Sequence, residues 1–336
     1  MSIYFFETNE LEKRYLTENL PGEQLKFIAE PITSGAQARD IAKDAEIISP
    51  FVHSYLSADV IESLPHLKMI ATRSTGFEHI NVPNAESRSI PVCNVPTYGE
   101  NTVAEHTFAM ILTLSRNLHK AYLRTIAGNF GREGLQGFDL KGKTIGVIGT
   151  GHIGLHVVRI AKGFGMDVLA VDIAPAPETA EAMGFKYTSL EDLYNRSDIV
   201  TLHVPQTDLT EHMINSKSLW QFKRGAVLIN TARGGLVDTQ ALLNALDAGI
   251  LSGAGLDVLE GEEVFSEEDQ LLQNPDASAE SLRQALRNYA LLNRPDLIIT
   301  PHIAFDSKEA VERILDTTIA NIKAFRSGSP QNRVHT

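Results

Sequence analysis

The stretch TIGVIGTGHIGLHVVRIAKGFGMDVLAVD, residues 144–172, constrains the fold more than any other. It opens with an apolar β-branched run, turns on Gly149, Gly151 and Gly154, continues with helical spacing, and returns to a second apolar run ending at Asp172. Each glycine has its own physical task in such a strand–turn–helix unit. Gly149 permits the tight turn, Gly151 lets a pyrophosphate approach the backbone, and Gly154 lets helix and strand pack closely. His152 and Ile153 lie at the start of the helix, whose unpaired N–H groups face the phosphates. Glycines can also serve packing alone, but Asp172 stands where a carboxylate accepts hydrogen bonds from both ribose hydroxyls. The same charge repels a 2′-phosphate, and the following IAPAPE offers no arginine to bind one. The expected cofactor is NAD rather than NADP.

Around this unit, short β-branched runs alternate with longer helical segments, the mark of βαβ units and parallel sheets. One series of strand candidates covers 3–6, 25–29, 45–52, 67–73 and 90–95. A second covers 144–149, 167–172, 198–204, 226–230, 253–258 and 296–300. Between them, the periodicity of 101–126 predicts one long amphipathic helix bridging two lobes. A second such helix over 307–328 could cross back to the first lobe. The acidic stretch 263–282 reads as an extended loop.

Composition closes off other classes. Hydrophobic residues make up 43% and charged residues 21%, the mix of a soluble globular protein. No run reaches the ~18 apolar residues of a membrane span, and the N-terminus lacks the features of a secretory signal. Cys93 is the single cysteine, which excludes an intrachain disulfide and favours a reducing cytoplasm. A net charge of −12 with no basic block argues against a nucleic-acid partner.

Charged residues recur at strand ends, where ligands bind in open parallel sheets. LINTARGG ends a strand with Arg233, GLDVLEGE ends one with Asp257, Glu260 and Glu262, and IITPH ends one with His302. A lone strand-end histidine is commonly a hydrogen-bonded core residue, but the joint occurrence suits the reduction of a 2-keto acid. Arginine supplies a bidentate fork for the carboxylate. A histidine whose proton is held by a nearby carboxylate supplies the acid for the carbonyl oxygen. Arg233, His302 and Glu262 fill these roles, with Glu260 as the competing carboxylate.

The glycine turn with Asp172, NTARGGLVD (230–238), GLDVLEGE (255–262) and TPHIAF (300–305), in this order, resembles the D-isomer-specific 2-hydroxyacid dehydrogenases. The resemblance runs from LKMIATRSTGFEHIN (67–81) to the C-terminal helix. It implies two doubly wound parallel-sheet lobes, with a Rossmann NAD-binding domain (101–301) inserted in a flavodoxin-like substrate domain (1–100 and 302–336). It also implies a site in the cleft between lobes and a homodimer formed through the NAD-binding domain. Arg233 would bind the substrate carboxylate, His302 would be the acid/base, and the family's spacing from the arginine selects Glu262 as its partner. Asp257 would lie near the nicotinamide carboxamide, with Thr231 and Ala232 also on the cofactor side. LHVP at 202–205 resembles the adenine pocket and assigns His203, Val204 and Pro205 to it.

The backbone of Ser74, Thr75 and Gly76, in RSTGFEHIN, could meet the substrate carboxylate. VPTYGENTVAEHT (95–107) resembles the D-lactate dehydrogenase branch, which makes Tyr98 a pocket residue. Phe51 aligns with an aromatic position that narrows the pocket around a methyl group, and Phe305 in IAFD matches the same branch. The implied substrate is a small 2-keto acid, pyruvate first. Two departures stand out: Gly99 and Glu100 replace the branch's Ser-Pro, and the stretch from Glu262 to His302 is long. Hydroxypyruvate or glyoxylate reduction on the same machinery is the second reading. An NAD-sensing corepressor-like binding protein is the reading from another class.

Overall fold

The two alternating series of strands and helices become two separate parallel sheets. The computed structural model describes residues 1–261 and 279–335. The chain divides into unit 1, Met1–Tyr98 with Ser307–Thr336, and unit 2, Gly99–Asp306, inserted within it. The second crossing falls at 306/307, with His302 and Phe305 in unit 2. Hydrogen bonds account for this: Asp257 takes the N–H groups of 302, 303 and 304 and ties that stretch to a strand end of unit 2.

Unit 1 contains β1 (Ser2–Phe6), β2 (Gln24–Ile28), β3 (Ile47–Ser49), β4 (Met69–Ala71) and β5 (Val92–Cys93). Their order is β2-β1-β3-β4-β5, all parallel, which is the flavodoxin-like winding. Central β1 is buried on both faces. Tyr4 and Phe6 enter one layer with Ile48 and Ile70. Ile3 and Phe5 enter the other with Met69 and with Leu315 and Ile319 of the helix Lys308–Arg326. A strand covered on both sides reads as a continuous apolar run rather than an alternating one. β3 is shorter than the expected 45–52 because Pro50 has no N–H to continue the ladder.

Unit 2 contains β6 (Thr144–Ile148), β7 (Asp167–Val171), β8 (Lys186–Tyr187), β9 (Ile199–Leu202), β10 (Ala226–Asn230), β11 (Leu251–Leu256) and β12 (Leu297–Ile299). Their order is β12-β11-β10-β9-β6-β7-β8, again all parallel. Winding outward in both directions from β6 creates a switch point between β6 and β9. β8 is an addition to the expected strands, and two residues are too few to show alternation.

The expected single helix over 101–126 is two helices, Glu100–Ser115 and Leu118–Ile126. Asn117 breaks them apart in the left-handed conformation, φ 49°, which asparagine tolerates better than most residues. The first helix buries Ala104, Phe108, Met110 and Ile111. Leu118, Tyr122, Leu123 and Ile126 of the second are exposed. Of the expected loop 263–282, residues up to 278 lie outside the described part, and from 279 the chain is the helix Ala279–Leu292. Among the described residues, no helix is long and apolar enough to cross a membrane.

Candidate active site

The sheet of unit 2 sets out the candidate residues in a row. Moving across the strands from β12 to β7, the carboxyl ends lead into His302, Asp257, Arg233, His203, Gly149 and Asp172. Sites far apart in sequence thus share one sheet edge, with neighbouring strands about 4.8 Å apart. β12 and β10 are separated by two such spacings, about 10 Å, which a long arginine side chain can shorten.

The glycine turn follows β6 at the switch point. Gly149 has φ 95°, and a Cβ there would lie 2.4 Å from the His203 carbonyl oxygen, so the position requires glycine. A Cβ at Gly154 would lie 1.9 Å from the Gly149 carbonyl oxygen, where any side chain would push the helix off the strand. Gly151 opens the helix His152–Gly163, has no side-chain cap, and has open space where a Cβ would stand. The first N–H groups of that helix can therefore serve a phosphate.

Asp172, just past β7, accepts from Thr150 N at 2.6 Å, Thr150 Oγ1 at 2.9 Å and Ala174 N at 2.9 Å. Burial raises its pKa, but these hydrogen bonds and that of Ile173 outweigh burial and hold it below the ordinary carboxylate range. Tyr187 of β8 supports the same turn through Thr150 Oγ1 at 2.8 Å. An ionised carboxylate beside an uncapped helix N-terminus fits NAD, whose pyrophosphate the helix would hold and whose ribose hydroxyls Asp172 would accept from. On the neighbouring strand end, His203 bonds Thr201 Oγ1 at 2.9 Å through Nε2. Desolvation pulls its pKa down to about 3, so its ring is neutral. Val204 and Pro205 follow it directly, and Val204 reaches the Gly149 turn.

Asn230 organises the next loop. Its Oδ1 accepts from Ala232 N at 3.0 Å and its Nδ2 donates to the Arg233 carbonyl at 2.8 Å. Thr231 is buried and pairs with Thr107 at 3.1 Å between hydroxyls. Arg233 Nη1 donates to the Ala232 carbonyl at 2.8 Å, and among the described residues no carboxylate pairs with the guanidinium. A Cβ on Gly234 would lie 2.0 Å from the Leu259 carbonyl oxygen, which explains a glycine directly after the arginine.

Asp257 is 1% exposed. Its Oδ1 accepts from Thr300 Oγ1 at 2.5 Å and Ile303 N at 3.0 Å, and its Oδ2 from Ala304 N at 2.8 Å. His106 Nε2 stands 3.5 Å from Oδ1. Burial raises the Asp257 pKa, but the His106, Thr300 and backbone hydrogen bonds overcome it and keep the group ionised. The Asp257 carbonyl accepts the His302 N–H at 2.9 Å. His302 itself holds φ 53°, a left-handed conformation rare for a residue with a Cβ and often retained where function demands it.

Glu260 is committed elsewhere: it meets His212 Nε2 at 2.6 Å and accepts from Thr239 Oγ1 at 2.8 Å. Glu262 lies outside the described residues.

Within unit 1, the loop after β4 is pinned by its side chains. Ser74 Oγ donates to the Gly76 carbonyl at 2.6 Å, and Thr75 Oγ1 donates to the Val95 carbonyl at 2.7 Å. Among the described residues, the N–H groups of Ser74, Thr75 and Gly76 take no acceptor. Phe51 follows β3, half-buried, 5.6 Å from the Arg73 guanidinium. The Tyr98 carbonyl accepts from Arg313 Nε at 2.5 Å. Phe305 is half-buried in unit 2.

Asn230, His106, Thr300 and Tyr187 escape the sequence reading. Asn230 alone carried a usable signal, an asparagine closing a strand where a turn begins.

A doubly wound unit with this turn, an ionised carboxylate at the next strand end, and arginine and histidine on the same edge points to an NAD-dependent oxidoreductase. Comparison with known proteins narrows the class. The family described as D-isomer specific 2-hydroxyacid dehydrogenase, NAD binding domain, matches residues 108–304. D-lactate dehydrogenase of Escherichia coli K12 is 35% identical over 332 residues, covering 98% of each chain. A 2-hydroxyacid dehydrogenase homolog of Haemophilus influenzae is 39% identical over 290 residues, covering 86% of this chain and 85% of that protein. D-lactate dehydrogenase from Aquifex aeolicus, solved with NAD and lactic acid, superposes with a TM-score of 0.84 at 37% identity, covering 97% of this chain and 96% of that one. The chain belongs to the D-isomer-specific 2-hydroxyacid dehydrogenase family and is an NAD-dependent oxidoreductase.

Proposed function

We propose that the chain interconverts a small 2-keto acid, pyruvate first, and the corresponding D-2-hydroxy acid. The observation that carries this reading is the shared sheet edge, on which Arg233 and His302 follow β10 and β12 beside the dinucleotide turn. Bound NADH supplies the hydride that reaches the carbonyl carbon. Arg233, with no carboxylate partner among the described residues, grips the substrate carboxylate through its planar fork and orients the carbonyl. His302 gives its proton to the carbonyl oxygen in reduction and takes it back from the hydroxyl in oxidation. Asp257 holds 302–304 in shape, so the imidazole is delivered from a fixed backbone. Glu262 is assigned as the carboxylate that keeps the imidazolium populated, a role the engagement of Glu260 with His212 and Thr239 leaves open to it.

The substrate assignment draws on relatives named D-lactate dehydrogenase and on Phe51, Tyr98 and Phe305, which match that branch. The N–H groups of Ser74, Thr75 and Gly76 are the further donors assigned to the substrate carboxylate. The exposed apolar face of Leu118–Ile126 is assigned to a homodimer contact.

The test is NADH oxidation across pyruvate, hydroxypyruvate, glyoxylate, phenylpyruvate and 2-ketoisocaproate. The expected order puts pyruvate first in kcat/KM, with D-lactate as product. Preference for hydroxypyruvate or glyoxylate would move the chain to another branch, and no oxidation with any of them would remove the enzymatic reading.

A further inference from the structure

Unit 1 has its own topological switch point, between β1 and β3, from which the sheet winds outward in both directions. Glu7 is the first residue past β1, and the loop 50–54 is the first stretch past β3. The Glu7 carboxylate organises that loop. Its Oε1 accepts from Phe51 N at 3.1 Å, Ser54 N at 2.9 Å and Ser54 Oγ at 2.5 Å, and its Oε2 accepts from His53 N at 2.9 Å. Ser54 is fully buried and its Oγ also accepts the Ile32 N–H at 3.1 Å. One side chain thus satisfies three main-chain donors of a loop that makes few backbone bonds of its own. Glu7 reaches this place with φ 57°, a conformation uncommon for a residue with a Cβ.

A carboxylate near a binding region for anions is unfavourable unless its charge is used and offset. Here the four donors use it, and a buried cation lies alongside. Arg73, 1% exposed, donates through Nη1 to the Ser49 carbonyl at 2.8 Å and through Nη2 to the carbonyls of Phe6 at 2.5 Å and Glu7 at 3.2 Å. The same guanidinium lies 5.6 Å from the Phe51 ring centroid, within cation–π range. Phe51 is therefore held at its backbone by Glu7 and at its ring by Arg73.

We propose that Glu7 is a positioning residue that fixes Phe51 and through it sets the size of 2-keto acid admitted. The proposal rests on the reading that Phe51 lines the substrate pocket. Ser54 and His53 carry no substrate role in it; they are the loop's other points of attachment to the carboxylate.

The experiment compares wild type with Glu7→Ala, Glu7→Gln, Phe51→Ala and the double variant Glu7→Ala/Phe51→Ala. NADH oxidation is measured with pyruvate and with 2-ketoisocaproate, and thermal melts and NADH binding monitor the fold. Phe51→Ala shifts the kcat/KM ratio toward the bulkier acid by about tenfold or more, the scale on which an apolar pocket discriminates. Glu7→Ala shifts it in the same direction, chiefly through KM, and the double variant shifts it no further than Phe51→Ala. Glu7→Gln keeps one acceptor oxygen, gives an intermediate shift, and serves if the alanine variant does not fold.

A Glu7 variant that leaves the ratio at its wild-type value while Phe51→Ala moves it overturns the proposal alone. So does a Glu7 variant that lowers kcat equally for both acids, as a merely structural residue would. A ratio unmoved by Phe51→Ala overturns the reading of Phe51, and the proposal with it.

Discussion

Replacing Asp257 by asparagine changes one atom in a buried group whose partners are all defined, so its consequences can be worked from the structure. In the native chain, Oδ2 accepts from Ala304 N at 2.8 Å while Oδ1 serves Thr300 Oγ1 and Ile303 N. An amide keeps only one acceptor oxygen. Its NH2 group must then face a main-chain N–H, leaving that donor buried and unpaired at a cost of about 1–3 kcal/mol. The bonds that survive pass from charged to neutral acceptors, which lose roughly half their strength. Together these losses come to about 3 kcal/mol, roughly a hundredfold in the equilibrium between opened and ordered 302–304 loop.

Hydrogen exchange reads this directly. Protection of the Ile303 and Ala304 amides should fall by about two orders of magnitude if local opening governs their exchange. kcat/KM for pyruvate should fall by up to a similar factor, because only the ordered fraction presents His302 correctly. Unchanged protection with unchanged kcat/KM would refute the claim that Asp257 shapes the loop.

Asp172→Ala should weaken NADH by about a hundredfold or more, since two hydrogen bonds to a charged group contribute about 1.5–3 kcal/mol each; it should also narrow the preference over NADPH, and fluorescence titration checks both. Because the folded pKa of Asp172 is depressed, its charge is complete above the ordinary carboxylate value of about 4 and is lost only as pH falls through the lower folded value. NADH affinity attributable to this group should therefore stay flat from pH 8 to about 5. Leu123→Glu with Tyr122→Glu, placing charge on the exposed face of Leu118–Ile126, should convert a dimer to a monomer in sedimentation, and an unchanged mass would remove that face from the contact.

What could be read from the sequence was local. The glycine turn is legible because its three glycines and Asp172 lie in one βαβ unit, where spacing alone fixes their relation. The apolar runs of β1 and β6 are legible because strands covered on both faces leave no polar positions. The break at Asn117 was hidden because apolar spacing continues across it, and only the backbone conformation of one residue ends the helix. β8 was hidden by its length.

The support of the site is long-range, and periodicity carries no trace of it. His106 meets Asp257 and Thr300, and Glu7 meets Phe51 and Ser54, across stretches with no common pattern. The strand-end arginine and histidine were legible as candidates, whereas the backbone that delivers His302 became visible only in the fold.

The proposed chemistry turns on His302 moving the proton at the carbonyl oxygen. Its most direct test is pyruvate reduction by His302→Ala, with NADH binding measured on the same preparation. In this variant kcat should fall by about 10²–10⁴, the usual contribution of a general acid, while the NADH dissociation constant stays at its wild-type value. Near-normal turnover by His302→Ala would contradict it.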